Sequence, residues 1–488
     1  MKFYRLIVYP RSNRKQERQR FLVYCQLQIY FSIMPGFLQQ VLFAGLLVIL
    51  VTQNILFWRS SGNTQGHTTS LSTSHRKPPS TSKAQTTAPA HPKEWLFAPQ
   101  KDSENFALNK KQCDLAFPRL WLEINRSVSV WKNNISRPIT VGDISLDSQS
   151  GGVFRALIHE NQLRILETKG ILDQGGSQMP FERAIAAWQQ IHRAILGATA
   201  AGEKLPSIEF SASVDDKPNL PEGESDDTQT LWAFCRHRKT TAHDRVFLMP
   251  DFNFWSWRGV AGSFAEMQAH GKDFDRPLAD KIPKLAWRGA IWTNPGIRGS
   301  LREMTKDKSW ADVLEFDWAT RANFVSIEDL CRFAFLAHTE GRSWSGRLKY
   351  LLNCESVTVI HELDWTAHYY HLLNSKGHDQ NYMPVKRDFS DLEDKVQYYI
   401  SHPSEAQHIA DNAIATFRER YLTLAAEACY WRRLIEGWNE VSDSPEIYEY
   451  SQVNVSGVSE IKRRLRGVAF EELIVGSRER VEVPSKVW

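Results

Sequence analysis

No Cys-x-x-Cys pair occurs in the 488 residues, so the ligand spacing of a structural zinc site is missing. Excess charge is scarce as well. Sixty Lys and Arg against 56 Asp and Glu leave +4, which argues against a dedicated nucleic-acid binder, because that affinity comes from clustered cations neutralising phosphates. Charged residues are absent altogether between Arg20 and Arg59, and large apolar residues nearly so from Ser60 to about Lys93. Each of these last two gaps defines a segment.

The first gap centres on Gly36–Trp58, GFLQQVLFAGLLVILVTQNILFW, enough to cross a bilayer as a helix of about 20 residues. Seven Lys and Arg against Glu17 precede it in Met1–Arg20, a flank that stays cytoplasmic. A cleaved signal peptide starting at Met34 is the alternative, although the small-residue cleavage pattern is poor. The second gap is rich in Ser, Thr and Pro and cannot bury enough surface to offset ordering entropy. The expected plan is a cytoplasmic tail (1–35), a signal anchor (36–58), a stem (59–94) and a large luminal body, the plan of a type II membrane protein. No retention tetrapeptide closes the chain, which ends VPSKVW, so the span would have to hold it in the Golgi or endoplasmic reticulum. An oxidising lumen makes disulfides available to Cys113, Cys235, Cys331, Cys354 and Cys429, an odd number. It also makes the sequons at Asn125, Asn134 and Asn454 candidate glycosylation sites.

Forty-two per cent apolar residues, with seventeen Trp and twenty-five Phe, support a sizeable core. Phe181–Ala198 has helical apolar spacing, and Val153–Leu166 reads as a hairpin turning at Glu160 and Asn161. Strands are expected at Ile208–Val214, Val246–Met249, Leu285–Arg288, Cys331–Ala337 and Ser356–Ile360. A late helix should open at Ser404 with Gln407 completing a capping box. No internal repeat is present. The alternation predicts an α/β fold with parallel sheet, in two lobes (95–255 and 256–458, the second with a closing helix) and a tail (459–488), leaving a cleft between them.

His338–Ile360, HTEGRSWSGRLKYLLNCESVTVI, carries the strongest local signal. Gly341 and Gly346 permit close backbone approach, a helix near Gly346 would offer free N–H groups, and Arg342, Arg347 and Lys349 add charge, together an anion site. LAWRGAIWTNPGIRGSL (Leu285–Leu301) places Arg288 and Gly289 at a strand end and Arg298 in a loop, where guanidinium groups can hold phosphate bidentately or serve as surface ion-pair partners. IEFSASVDDKPNLP (Ile208–Pro221) ends a strand in Asp215 and Asp216, either a general base facing a cleft or an Asx turn. Asp273-Phe274-Asp275 could hold a divalent cation against a diphosphate, though its flanks read as a charged loop. His361, His368 and His371, interleaved with Trp365, Tyr369 and Tyr370, suit an acceptor groove or a partly buried helix better than a metal site.

These segments, with QCDLAFPRLWLEINRSV (Gln112–Val128), PDFNFWSW (Pro250–Trp257), DQNYMPVKRDFSDLE (Asp379–Glu393) and FRERYLTLAAEACYWRRLI (Phe417–Ile435), resemble the capsule-associated family of glycosyltransferases. The animal relatives of that family are the Rumi-like protein O-glucosyltransferases. The resemblance implies a GT-B fold of two Rossmann-like lobes that moves a sugar from a UDP-sugar with inversion and without an essential metal or other cofactor. It implies Asp216 as base, and Arg288, Gly289, Arg298, Gly341, Arg342, Ser345, Gly346 and Arg347 around the donor, with Arg347 on the diphosphate. Trp257, Trp365 and Tyr382 are carried as acceptor-side candidates. The resemblance pairs Cys331 with Cys354 and Cys113 with Cys429, leaving Cys235 as a thiol. Glu340 departs from the arginine of the protein O-glucosyltransferases, which favours xylose over glucose and leans away from EGF-repeat glucosylation. The partners expected are the UDP-sugar, a glycan or glycoprotein acceptor and the membrane, with no nucleic acid. The rival classes are a non-catalytic carbohydrate-binding protein of the same fold and a metal-dependent transferase using Asp273 and Asp275.

Overall fold

Val153–His159 (β1) and Gln162–Lys169 (β2) form the hairpin their alternation predicts. Glu160 and Asn161 both take left-handed backbone, φ 49° and 55°, the two-residue geometry that matches the twist of a hairpin. Asn161 tolerates that conformation, and its side chain ties the turn to a distant segment: Oδ1 accepts from Leu205 N at 2.9 Å and Nδ2 donates to Glu203 O at 2.8 Å. Ile208–Ser213 (β3), Trp232–Ala233 (β4) and Phe247–Leu248 (β5) extend this sheet. Ile282–Gly289 (β6), Ala311–Glu315 (β7), Phe333–His338 (β8), Val357–His361 (β9) and Met383–Val385 (β10) make a second sheet, and Val468–Ala469 (β11) returns to the first.

This computed structural model describes residues 95–476 apart from 173–177, 221–227, 318 and 456–457, all inside one compact unit that begins at Pro92. The expected cytoplasmic tail, anchor and stem lie outside the described residues. No helix among the described residues is long and apolar enough to cross a membrane.

The second sheet runs β7-β6-β8-β9-β10 and is parallel throughout. Both of its faces are covered: Leu285, Trp287, Phe335 and Val359 point into one apolar cluster, and Ala286, Leu336 and Ile360 into another. The first sheet, β11-β2-β1-β3-β4-β5, is mixed: it holds the expected hairpin beside a parallel part. Strand β1 is antiparallel to β2 and β3, while β3, β4 and β5 are parallel. A two-residue turn can join only antiparallel neighbours, so the hairpin dictates this. One apolar cluster runs from Phe154 and Trp232 through to Leu336 and Ile360, so the sheets share a core across the expected boundary at 255/256.

Three placements bear on the expected plan. The hairpin Tyr448–Val455/Val458–Leu465 straddles the expected boundary at 458, and β11 with the buried Phe470 and Leu473 makes residues after 459 part of the first sheet's edge. The closing helix, Leu424–Asn439, packs on the long helix Gln178–Ala200 beside the first sheet, not on the second. The late helix begins at Pro403 with no side-chain cap, since Gln407 is drawn instead to Leu278 N and Glu355. Disulfides join Cys113 to Cys429 and Cys331 to Cys354, and Cys235 is a buried thiol whose pKa burial pushes up to about 12.

Candidate active site

The ends of β3 and β6, the loop after β8 and the start of Pro295–Met304 converge on a cavity of about 460 Å³. Six arginines line it: Arg183, Arg288, Arg298, Arg321, Arg342 and Arg347. Asp216 is the sole carboxylate among its lining residues.

Asp216 lies in a bend after β3, and Arg183 of the long helix donates to its Oδ1 at 2.9 Å and to Val214 O at 3.1 Å. Oδ2 makes no hydrogen bond among the described residues. Ser343 Oγ donates to Asp216 O at 2.5 Å, tying this bend to the arginine loop. Asp215 is exposed, caps Asp216 N at 2.7 Å and is not among the lining residues. The two acids, adjacent in sequence, are therefore distinguished by position.

The arginines differ in how they are satisfied. Four N–H bonds of Arg288 go to Asn323 O, Trp287 O, Asp312 O and Asp312 Oδ1, the last a 2.8 Å ion pair. Arg298 donates only to Glu340 O (3.0 Å) and Ala290 O (2.8 Å), is 7% exposed, and has no carboxylate partner among the described residues. Burial, aided by Arg347, lowers its pKa to about 9. Arg347 donates to Arg288 O, also lacks a carboxylate among the described residues, and burial lowers it to about 10. Deep in the cavity, then, sit guanidinium groups with spare donors and no counter-charge. Isolated buried cations are costly, so this arrangement is suited to an anion arriving from outside.

The loop glycines act by close approach, with φ outside the left-handed range. A Cβ at Gly346 would lie 2.0 Å from Asn253 Nδ2, one at Gly289 2.6 Å from the Trp287 ring, and one at Gly341 3.2 Å from Arg298 Nη2. The helix expected near Gly346 is one turn, Leu348–Leu351, too short to supply a dipole site. What fixes the loop is a set of contacts no local pattern announces. Lys349 pairs with Asp251 at 2.5 Å, both buried, and donates to Gly346 O. His361 Nε2 accepts from Glu340 N at 3.1 Å while its Nδ1 donates to Glu362 O at 2.7 Å, and burial lowers its pKa to about 4, fixing the neutral tautomer. The Glu340 carboxylate is buried, accepts from Asp364 N and Trp365 N, and pairs with Arg387.

Other candidates are placed elsewhere. Trp257, half-buried, lines the cavity, as do Ser345 and Arg342, whereas Trp365 and Tyr382 do not. Trp365 packs against His237 and His243. His368, Tyr369 and Tyr370 are core residues, so of the two expectations for this segment, groove or buried helix, the structure fits the buried one. Asp275 is gripped by Arg418 at 2.8 Å, and neither it nor Asp273 reaches the cavity. Among the described residues, no group of three or more His, Cys, Asp and Glu could hold a metal. Asn125 and Asn134 are exposed, and Asn454 lies in the strand Tyr448–Val455.

An α/β body with unneutralised arginines in a cavity at the end of a parallel sheet has the chemistry suited to a phosphorylated ligand. Residues 182–469 match the family model Glycosyl transferase family 90. The chain belongs to that family, the one to which its motifs pointed. It is 27% identical over 259 residues to human Protein O-glucosyltransferase 1, covering 49% of this chain and 63% of the relative. The rat Protein O-glucosyltransferase 1 is 24% identical over the same length and shares. The O-glucosyltransferase rumi of Drosophila pseudoobscura pseudoobscura is 29% identical over 138 residues, 28% of this chain and 33% of the relative. The chain thus spans less than two thirds of the curated relatives it matches.

Proposed function

We propose that this protein transfers a sugar from a UDP-sugar to a hydroxyl of a glycan or glycoprotein, with inversion at the sugar carbon. The observation that carries this is the pair of guanidinium groups of Arg298, buried, and Arg347, partly buried, without carboxylate partners among the described residues, in one cavity with Asp216. In the reaction the acceptor oxygen forms a bond to the sugar carbon as the bond to the diphosphate breaks. Asp216 takes the hydroxyl proton through Oδ2, while Arg183 holds Oδ1 and so orients the carboxylate. The departing diphosphate gains charge, which Arg298 and Arg347 stabilise without reorganising. Ser345 and Gly346 border the same region and offer backbone donors.

No resident metal is part of this proposal. Xylose is placed first as the transferred sugar, on the Glu340 form of the loop, and glucose second, on the names of the relatives. Two disulfides and the charge-free segment before the stem support a luminal body anchored in the Golgi or endoplasmic reticulum membrane. The test is UDP release by the full chain against a panel of UDP-sugars, with EDTA present. Release from one donor that survives EDTA and collapses in Asp216→Asn is expected. Loss of activity with EDTA would sink the metal-free mechanism, and measurable UDP binding with no turnover of any donor would favour the non-catalytic reading.

A further inference from the structure

Charge in the cavity exceeds what a diphosphate neutralises. Of the six lining arginines, Arg183 is matched by Asp216 and Arg288 by Asp312. Arg298 and Arg347 suffice for a diphosphodiester, which carries one negative charge on each phosphate. Arg321 and Arg342 remain, and neither has a carboxylate partner among the described residues.

Both are exposed side chains at the cavity edge, and each lies over an aromatic ring: Arg342 over Trp292 at 5.3 Å and Arg321 over Phe324 at 5.3 Å. The rings are themselves open to solvent, Trp292 at 60% and Phe324 at 47%, a combination of flat apolar face and guanidinium plane suited to a charged sugar. Arg321 is also held in left-handed backbone, φ 57°. That conformation is disfavoured for residues other than Gly, Asn and Asp and persists only where the surroundings enforce it. Here they do. Asp317 Oδ1 accepts from Ala319 N and Thr320 N, and Asn323 Oδ1 accepts from Asp317 N at 3.0 Å, while Asn323 O takes the Arg288 Nε bond. The loop that presents Arg321 is thus locked to the cavity wall by the one deep arginine that is internally saturated.

Resting on the proposed transferase reading, we infer that Arg321 and Arg342 form a second anion subsite for a sugar-borne carboxylate or sulfate, distinct from the diphosphate. That anion could belong to the acceptor glycan or to the donor sugar, and the arms of the test separate the two sources. In the acceptor arm, a glucuronate-containing oligosaccharide and its carboxyl-reduced form are titrated calorimetrically into the full chain saturated with UDP, which occupies the deep pair. In the donor arm, UDP-glucuronate is compared with UDP-glucose and UDP-xylose. The expected result is that in one arm the acidic ligand binds about tenfold tighter, roughly the worth of one charge-assisted contact. The advantage should shrink as salt is raised. It should vanish in Arg321→Asn with Arg342→Gln, Asn being chosen because it tolerates the left-handed backbone. Equal affinity for acidic and neutral ligands in both arms, with UDP still bound, overturns the subsite and leaves the transferase reading intact. So does an acid preference that persists in the double variant. Failure of the wild type to bind UDP overturns the transferase reading, and this inference with it.

Discussion

The first sheet and the second face one cavity but treat charge in opposite ways. On the first, Asp216 is matched by Arg183, and behind it the deep pair Asp251–Lys349 ties that sheet's side to the arginine loop. On the second, Arg288 is closed by Asp312, but Arg298 and Arg347 are left without a counter-ion among the described residues. Internally matched charges hold shape when the site is empty, whereas unmatched ones hold affinity in reserve for a ligand that supplies the missing charge.

The covalent links differ between the two regions as well, and cutting them gives the largest expected effect. Cys113–Cys429 closes 316 residues and pins the helices beside the first sheet; Cys331–Cys354 closes 23 next to the second. Chain-entropy arguments put their removal at about 6 and about 3 kcal/mol respectively. Urea unfolding of the two double Cys→Ala variants reads the difference, and equal losses would show that native-state packing outweighs loop length.

Removing the charge of the first sheet's carboxylate comes next. Asp216→Asn should lower kcat by roughly 10²- to 10⁴-fold with UDP affinity nearly unchanged, while Asp215→Asn, exposed and outside the cavity, should cost less than about fivefold. Steady-state kinetics on both variants decides which acid does the work. A comparable fall in both would mean that the bend itself, which Asp215 caps, sets the rate.

Behind the second sheet's loop, His361 links stability to pH. Burial lowers its pKa from 6.5 to about 4 in the folded chain. The unfolded chain then binds more protons between those values, so stability is fully present above pH 6.5 and is lost as pH falls toward 4. The effect has an upper size of about 3 kcal/mol. His338, pushed down by its own burial, adds to the slope with the same sign. His361→Asn should flatten the dependence in chemical denaturation between pH 4 and 6.5, and an unchanged slope would assign it to other groups.

Sequence patterns reached different depths in the two regions. The hairpin, the long helix and three of the five strands of the second sheet were legible as local apolar patterns bounded by turn residues, whereas Ala311–Glu315 and Met383–Val385 were not, being short edge strands. The arginine loop was legible because glycine and arginine cluster within it. The edge strand β11 of the first sheet was less so, because it arrives from just over three hundred residues away with only two residues to pair. Arg183 gave no signal at all: it reads as one more polar position on an amphipathic helix, and only the packing of that helix brings it to Asp216. The residues from His368 to Tyr370 were ambiguous for the converse reason, since aromatic and histidine side chains that suit a sugar groove also fill a core. Composition marks what a side chain can do, and long-range packing decides whether it meets a ligand.

The sharpest way to break the comparison is to remove one matched and one unmatched arginine from the second sheet's side. Arg347→Ala deletes a partly buried cation whose one bond among the described residues runs to Arg288 O. It should weaken UDP binding at least about tenfold, by the 1.5–3 kcal/mol typical of a hydrogen bond to a charged group, and leave the melting temperature level or raised, because an uncompensated buried charge is gone. Arg288→Ala deletes four bonds and strands Asp312, whose side chain is only 29% exposed. It should lower stability by about 1–3 kcal/mol, with UDP affinity changing less than in Arg347→Ala. Calorimetric UDP titration and thermal melts on the two variants give both coordinates. If Arg288→Ala remained folded and lost as much UDP affinity as Arg347→Ala, matched and unmatched arginines would be equivalent for the ligand, and internal pairing would cease to mark which side chains the cavity holds in reserve.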